Sequence, residues 1–201
     1  MLLAFDTETS GKYDFKSPPT APHQPRLMQL GLQVLDKELN PVASWSTLIE
    51  ATGFDPEPGA VEVHGISGDK ARAYGIPVQH ALAILKKYRS KCEYHMCHNE
   101  KFDRGIINAE MARLGQPFFL ESNGFCTMQA LTPVLKIPGP YGNKWPRLEE
   151  AFERATGTKM QIWMEGKGLS AHDAMGDVTA MVEVFRWMRK EHPLAVWEGL
   201  R

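Results

Sequence analysis

Three apolar runs without helical period open the chain, and their order limits what it can fold into. Leu2 to Asp6 reads as a first strand; Leu27–Leu35 and Val42–Ile49, separated by turn signals over Asp36–Pro41, read as a hairpin. The period then changes. Pro77–Tyr88 places Val78, Ala81, Leu82 and Leu85 at helical spacing, with proline at the start, where a helix tolerates it. Glu93–His98 predicts a fourth strand. Asn99 is positioned to cap a helix whose stripe is Phe102, Ile106, Ile107, Met111 and Leu114, closed by Gly115. A last long helix is predicted from about Asp173 to Lys190, with Ala174, Val178, Met181, Val182, Phe185 and Met188 on one face. Strands followed by helix, strand and helix fit a mixed sheet flanked by helices.

Chain length suits one domain over residues 1–201. A content of 43% hydrophobic and 23% charged residues is that of an ordinary globular chain. No apolar run reaches about 18 residues, and the N-terminus enters a strand without a basic region. Neither a membrane span nor a secretory signal is expected. Cys92, Cys97 and Cys126 are odd in number and lack a C-x-x-C spacing, so they read as reduced thiols in a cytoplasmic protein.

The first strand runs into two carboxylates, Asp6 and Glu8. Two positions apart on a strand, they share a face with Cα atoms roughly 6.6 Å apart. Like charges so placed repel, and a hard divalent cation bound through oxygen would compensate them. The alternative is a turn in which Asp6 caps the strand end. Asp103 borders the buried stripe of its helix; it either joins such a site or faces the helix dipole. Asp177 has Ala174 and Ala180 three positions either side and follows Gly176, which costs roughly 1 kcal/mol in a helix interior. Small neighbours let a helix approach a sheet closely, so a short Asp can reach a shared metal; otherwise it sits on the solvated edge. His172 lies about 140° from Asp177 on a continuous helix, so the two converge only if His172 precedes the helix. An imidazole with an ordinary pKa near about 6.5 suits proton removal from water, although a lone His near a helix start is commonly structural.

Together, Asp6-x-Glu8, Asn99-x-x-Phe102-Asp103 and His172-x-Ala174-x-x-Asp177 resemble, in order and spacing, the three motifs of the DEDDh (DnaQ-like) 3′–5′ exonucleases. Val63-His-Gly-Ile-Ser67 is similar to that family's short element after the third strand, and Cys126-Thr-Met128 to its strand-to-helix junction. The resemblance spans nearly the whole chain. It implies an RNase H-like fold, an α/β mixed five-stranded sheet flanked by helices. It further implies hydrolysis of a terminal phosphodiester with two Mg2+ or Mn2+ ions, releasing 5′-mononucleotides. Asp6, Glu8, Asp103 and Asp177 match the family's metal-site acids, and His172 its general base. Thr7, Thr9, His64, Asn99 and Phe102 match positions around the terminal nucleotide.

The implied partner is nucleic acid, with DNA and single-stranded 3′ ends favoured. An exoribonuclease or oligoribonuclease is the alternative within the same chemistry. No polymerase-tethering segment is expected. A non-catalytic nucleic-acid-binding module would gain nothing from clustered unpaired carboxylates. Removing four site carboxylates from the net charge of −1 leaves +3, which is compatible with nucleic acid at a metal centre but not with a broad basic coat.

Three stretches show no regular period. Lys16–Pro25 carries four prolines and is expected to be an extended loop that shapes the substrate entrance, binds a partner or lies outside. Lys136–Arg147 mixes Tyr141, Lys144, Trp145 and Arg147 on a Pro/Gly backbone, and Thr158–Ala171 holds Trp163 between basic and glycine residues. Their aromatic residues either stack on unpaired bases or close a small hydrophobic cluster.

Overall fold

In the computed structural model, which describes residues 1–120 and 124–199, the first strand is Leu2–Thr9 (β1), followed by β2 (Leu27–Leu35) and β3 (Pro41–Leu48). Next come α1 (Pro58–His64), α2 (Gly68–Tyr74), α3 (Val78–Arg89), β4 (Tyr94–Cys97), α4 (Glu100–Arg113), β5 (Gly124–Cys126) and α5 (Thr127–Leu135). The two-residue strands β6 (Pro138–Gly139) and β7 (Gly142–Asn143) precede α6 (Leu148–Thr156), α7 (Met160–Glu165), α8 (Ala174–Glu191) and α9 (Pro193–Gly199). The five-stranded sheet has the order β3-β2-β1-β4-β5, antiparallel across β3-β2-β1 and parallel across β1-β4-β5. This is the mixed, RNase H-like sheet expected from the sequence.

Strand parity divides β1 between two cores. Leu3 and Phe5 pack with Leu30, Leu32 and Val34 of β2 against α3 and α4, through Leu82, Leu85, Ile106 and Ile107. Leu2 and Ala4 face the other layer, where Met96 and Phe125 meet Val178, Met181, Val182 and Phe185 of α8. Because side chains alternate along a strand, Asp6 and Glu8 continue the α8 side and Thr7 continues the α4 side.

β2 is buried along its whole length, yet it contains Gln29, Gly31 and Gln33. A Cβ on Gly31 would lie 2.6 Å from the carbonyl carbon of Ala174, so the absence of a side chain lets the start of α8 press onto β2. Gln33 reaches the Thr179 hydroxyl of α8 at 3.2 Å. The close approach expected from the small residues of the last helix is thus matched by a small residue on the sheet.

The structure departs from expectation in the irregular stretches. Thr158–Ala171 contains α7, which buries Met160 and Met164 in the α8-side core. Six residues were too few to show a period. Lys136–Arg147 contains the small β6–β7 hairpin. Helices α1 and α2 were not foreseen because neither is long enough to carry an amphipathic stripe; none of the residues of α1 is buried. Lys16–Pro25 has no regular structure, in line with its prolines. None of the described helices is long and apolar enough to cross a membrane.

Candidate active site

β4 pairs with β1 only over Leu2–Ala4 and ends at Cys97, so the upper half of β1 has a free edge on that side. That edge lies where the neighbours of β1 change from antiparallel to parallel, the kind of sheet position that opens a crevice at the strand ends. α4 covers it. Asp103 Oδ1 accepts the Thr7 backbone N–H at 3.1 Å and the Thr7 hydroxyl at 2.7 Å, taking the hydrogen-bonding role of the missing strand. Thr7, expected near the terminal nucleotide, is 5% exposed, and its side chain holds Asp103 from the α4 side.

On the other face, Asp6, Glu8 and Asp177 each offer a carboxylate oxygen, all within 4.8 Å of one another. Asp177 comes from the first turn of α8. Thus three of the four expected acids meet directly, and the fourth, Asp103, is held by Thr7 on the α4 side, close enough for its charge to raise Asp6 and Glu8. Burial is the largest cause that raises Asp6 well above the ordinary carboxylate range, followed by the charges of Asp103, Asp177 and Glu8. Burial, then the charges of Asp177, Asp103 and Asp173, push Glu8 up to about 8. Burial takes Asp103 to about 8 against the two hydrogen bonds from Thr7. Asp177 rises to about 7, chiefly by burial, although the His172 backbone N–H donates to it.

Asp177 Oδ1 has no hydrogen-bond partner although it is shielded from solvent. An orphaned carboxylate oxygen among crowded acids fits hard divalent cations, which take oxygen ligands and offset the negative charge. The residues present therefore suit a divalent metal ion.

These raised acids tie stability to pH. Glu8, Asp103 and Asp177 hold their protons more tightly folded than unfolded, so between ordinary values of 3.8–4.5 and folded values of about 7–8 the native state carries the extra protons. Stability of the metal-free chain should therefore fall as pH rises through that window, and be regained on adding a divalent cation. Thermal melts in chelator across the window, repeated with Mg2+, check this. A metal-free melting temperature that climbs with pH would contradict it.

His172 precedes α8 in the Ala171–Asp173 turn, exposed and with φ 56°. The helical offset from Asp177 accordingly does not apply. Asp173 caps α8 by accepting the Met175 and Gly176 N–H groups at 3.1 and 3.3 Å. Gln29, directly across from Glu8 in the β1–β2 register, donates to Asp173 Oδ2 at 2.8 Å and accepts the Ala174 N–H at 3.1 Å. One buried side chain therefore fixes the start of the helix carrying Asp177 and the turn carrying His172. Sequence reasoning missed Gln29; its signal was a polar residue inside an otherwise apolar strand. Gly176 is required by Ser170, whose carbonyl oxygen would lie 2.2 Å from an added Cβ.

Beside the acids lies a cleft of about 490 Å³, lined by Glu8, Thr9, Lys12, His64 and Phe102 among others. The Thr9 hydroxyl donates to the Gly11 carbonyl at 2.8 Å. His64 accepts the Ile66 N–H on Nδ1 at 3.0 Å, leaving Nε2 to donate to the Thr9 carbonyl at 3.0 Å. Burial lowers its pKa, which keeps this neutral form. Asn99 stands before α4 with φ 93°; its carbonyl accepts the Phe102 N–H, but its side chain makes no capping bond. The expected side-chain cap is therefore replaced by a backbone turn, and the amide is not committed to the helix.

Of the late aromatic residues, Trp163 packs on Phe152 at 4.9 Å between ring centroids and belongs to the α8-side core. Tyr141 and Trp145 are exposed, at 104% and 63%. Lys144 is held by Glu150 at 2.6 Å. His98, after β4, ties this stretch down. Its Nε2 donates to the Pro146 carbonyl at 3.0 Å and its Nδ1 takes the Thr127 hydroxyl at 2.8 Å, with burial lowering its pKa to about 4.

A mixed sheet of this order, with clustered acids at the end of its central strand, defines an RNase H-like nuclease class. A family model described as Exonuclease matches residues 3–185, and the chain belongs to that family, the DEDDh (DnaQ-like) exonucleases. Solved structures of E. coli Exonuclease I share the fold. The complex with a dT13 oligonucleotide gives a TM-score of 0.76 at 21% identity, covering 98% of this chain and 42% of that one. The zinc-bound complex with single-stranded DNA gives 0.74 at 22% identity, with the same coverage. The chain thus spans less than half the length of these Exonuclease I chains. Comparison with curated protein sequences returned no match.

Proposed function

We propose that the chain is a 3′–5′ exonuclease that hydrolyses the terminal phosphodiester of a nucleic acid strand, DNA foremost, and releases 5′-mononucleotides. The meeting of Asp6, Glu8 and Asp177 oxygens within 4.8 Å, beside a cleft of nucleotide size, is the observation that carries this reading. Asp6, Glu8, Asp103 and Asp177 would hold two Mg2+ or Mn2+ ions. Such a pair, when bound, supplies Lewis acidity at both the attacking and the departing oxygen of an in-line displacement.

The remaining steps belong to the chain. His172 removes a proton from the attacking water, whose oxygen forms the new bond to phosphorus. The bond from phosphorus to the 3′ oxygen of the preceding nucleotide breaks, and that oxygen takes up a proton and stays with the shortened strand. Thr9, His64 and Phe102 enclose the terminal nucleotide, with the Asn99 amide free to meet it. Thr7 acts through Asp103, and Gln29 through Asp173, holding groups in place without touching substrate. Binding of single-stranded DNA by Exonuclease I supports single-stranded 3′ ends as the preferred substrate here.

A 5′-labelled oligonucleotide should shorten progressively from its 3′ end and stop doing so in excess chelator. Release beginning at the 5′ end, or full activity in chelator, would overturn the assignment. Parallel DNA and RNA strands separate the deoxyribonuclease reading from the ribonuclease one.

The two late tryptophans should respond differently. Trp163→Ala removes core packing against Phe152 and is expected to cost about 3 kcal/mol of stability. Trp145→Ala should leave the melting temperature within a few degrees and weaken single-strand binding about tenfold, as expected for loss of one stacking face. Binding unchanged on Trp145→Ala in a folded chain would make the hairpin a structural ornament of the surface.

A further inference from the structure

We propose that Phe15, flanked by Lys16 and Lys101, is a stacking platform for an unpaired base of the strand whose 3′ end occupies the cleft; this rests on the exonuclease reading above. The stretch Gly11-Lys-Tyr-Asp-Phe-Lys16 leaves the cleft, which Gly11 and Lys12 line, and crosses the first turns of α4. Tyr13 lies flat enough on Gly105 that an added Cβ there would be 2.9 Å from its ring. Phe15 meets Tyr13 edge-on at 5.1 Å, and the Lys101 ammonium sits 5.1 Å above the Phe15 ring. Phe102, the next residue of α4, lines the cleft, so platform and cleft share one helical turn.

A single exposed aromatic is ordinary on a protein surface. Phe15, 49% exposed, differs in being held rigidly. The Gln24 side chain, itself 2% exposed, accepts the Asp14 N–H at 3.0 Å and donates to the Asp14 carbonyl at 2.8 Å. It also meets the Ser17 and Pro18 carbonyls at 3.2 and 3.3 Å. Arg113 in turn grips the Gln24 and Pro25 carbonyls from the end of α4. The proline-rich stretch is therefore a preformed brace behind Phe15, and little ordering is left to be done when a ligand arrives.

Charge favours a polyanion. The Asp14 carboxylate is consumed within the loop by the Lys16 N–H, the Ser17 hydroxyl and His23. Lys12, Lys16 and Lys101 have no ion-pair partner among the described residues, in contrast to Lys144 of the late hairpin. An aromatic ring with one ammonium over it, and lysines without ion pairs before and after it in the loop, suits a base on the ring's open side and phosphates on the lysines.

The test is fluorescence anisotropy with 5′-fluorescein-labelled dT8 and rU8 and the full chain in Ca2+. Phe15→Ala and Phe15→Leu should both weaken binding about tenfold, since one stacked base is lost, while Phe15→Trp binds at least as tightly as the parent. Lys101→Ala should flatten the salt dependence of log K by about 0.7. Tyr74→Ala, an exposed aromatic of α2, serves as the control and should leave affinity unchanged. Parent-like binding by a folded Phe15→Leu chain would overturn the platform, and this variant keeps the test alive should Phe15→Ala unfold. So would an equal loss on thymidine 5′-monophosphate, which has no preceding base. If the parent chain releases no nucleotide from any strand but Phe15→Leu still loses strand binding, the exonuclease reading fails and the platform stands.

Discussion

Asp6→Asn is expected to lower nucleotide release by several orders of magnitude while the chain stays folded. The amide keeps the shape of the carboxylate but removes one of the charges proposed to hold the divalent ions. Asp6 is the acid on which the others converge, raised by burial and by the charges of Asp103, Asp177 and Glu8. Deleting its charge relieves that repulsion, so the metal-free variant should melt at the same temperature as the parent chain or higher at a pH of about 8. The stabilising effect of added Mg2+ should shrink. Rate measurements beside thermal melts, in chelator and in Mg2+, read all three quantities. A variant that retains near-parent rates, or that unfolds in chelator at neutral pH, would exclude the metal role.

His172→Ala should reduce the rate by about 100- to 10,000-fold, the range expected for loss of a general base. The loss should fall on the rate of nucleotide release and not on strand binding. Because His172 is exposed and its backbone rather than its ring meets Asp177, the substitution leaves the acids in place. Mg2+ should therefore stabilise the variant as it does the parent. A parent-like rate in the variant would assign His172 to shaping the turn, a role to which its φ of 56° would also suit it.

Legible in the sequence was whatever repeats or alternates over enough residues. β2 is a nine-residue run and was located to the residue; α8, at eighteen residues, was found to within one at each end. Asp6 and Glu8 were correctly given one face because strand parity is a rule of two, independent of the layer packed against it. Parity also decides Thr7, yet its partner could not be read. Asp103 reaches it only because β4 stops at Cys97, and the point where a strand stops is set by its neighbours in space rather than by its own residues. Gln29 was hidden for a related reason. Its partners are Asp173 and Ala174, and nothing local marks a contact across 144 residues of chain. α7 escaped because six residues carry less than two turns of pattern.

That long-range tie has a consequence for biosynthesis. Asp6, Glu8, Thr7 and Asp103 are all translated within the first 103 residues, whereas the Gln29 side chain waits for Asp173 and Ala174 before the start of α8 can settle. Contacts of such sequence separation close late, after the local ones have formed. A nascent chain on the ribosome therefore carries an incomplete acid set for most of its synthesis. On the proposed site, the chain lacks Asp177 among its metal-holding acids until its last long helix docks.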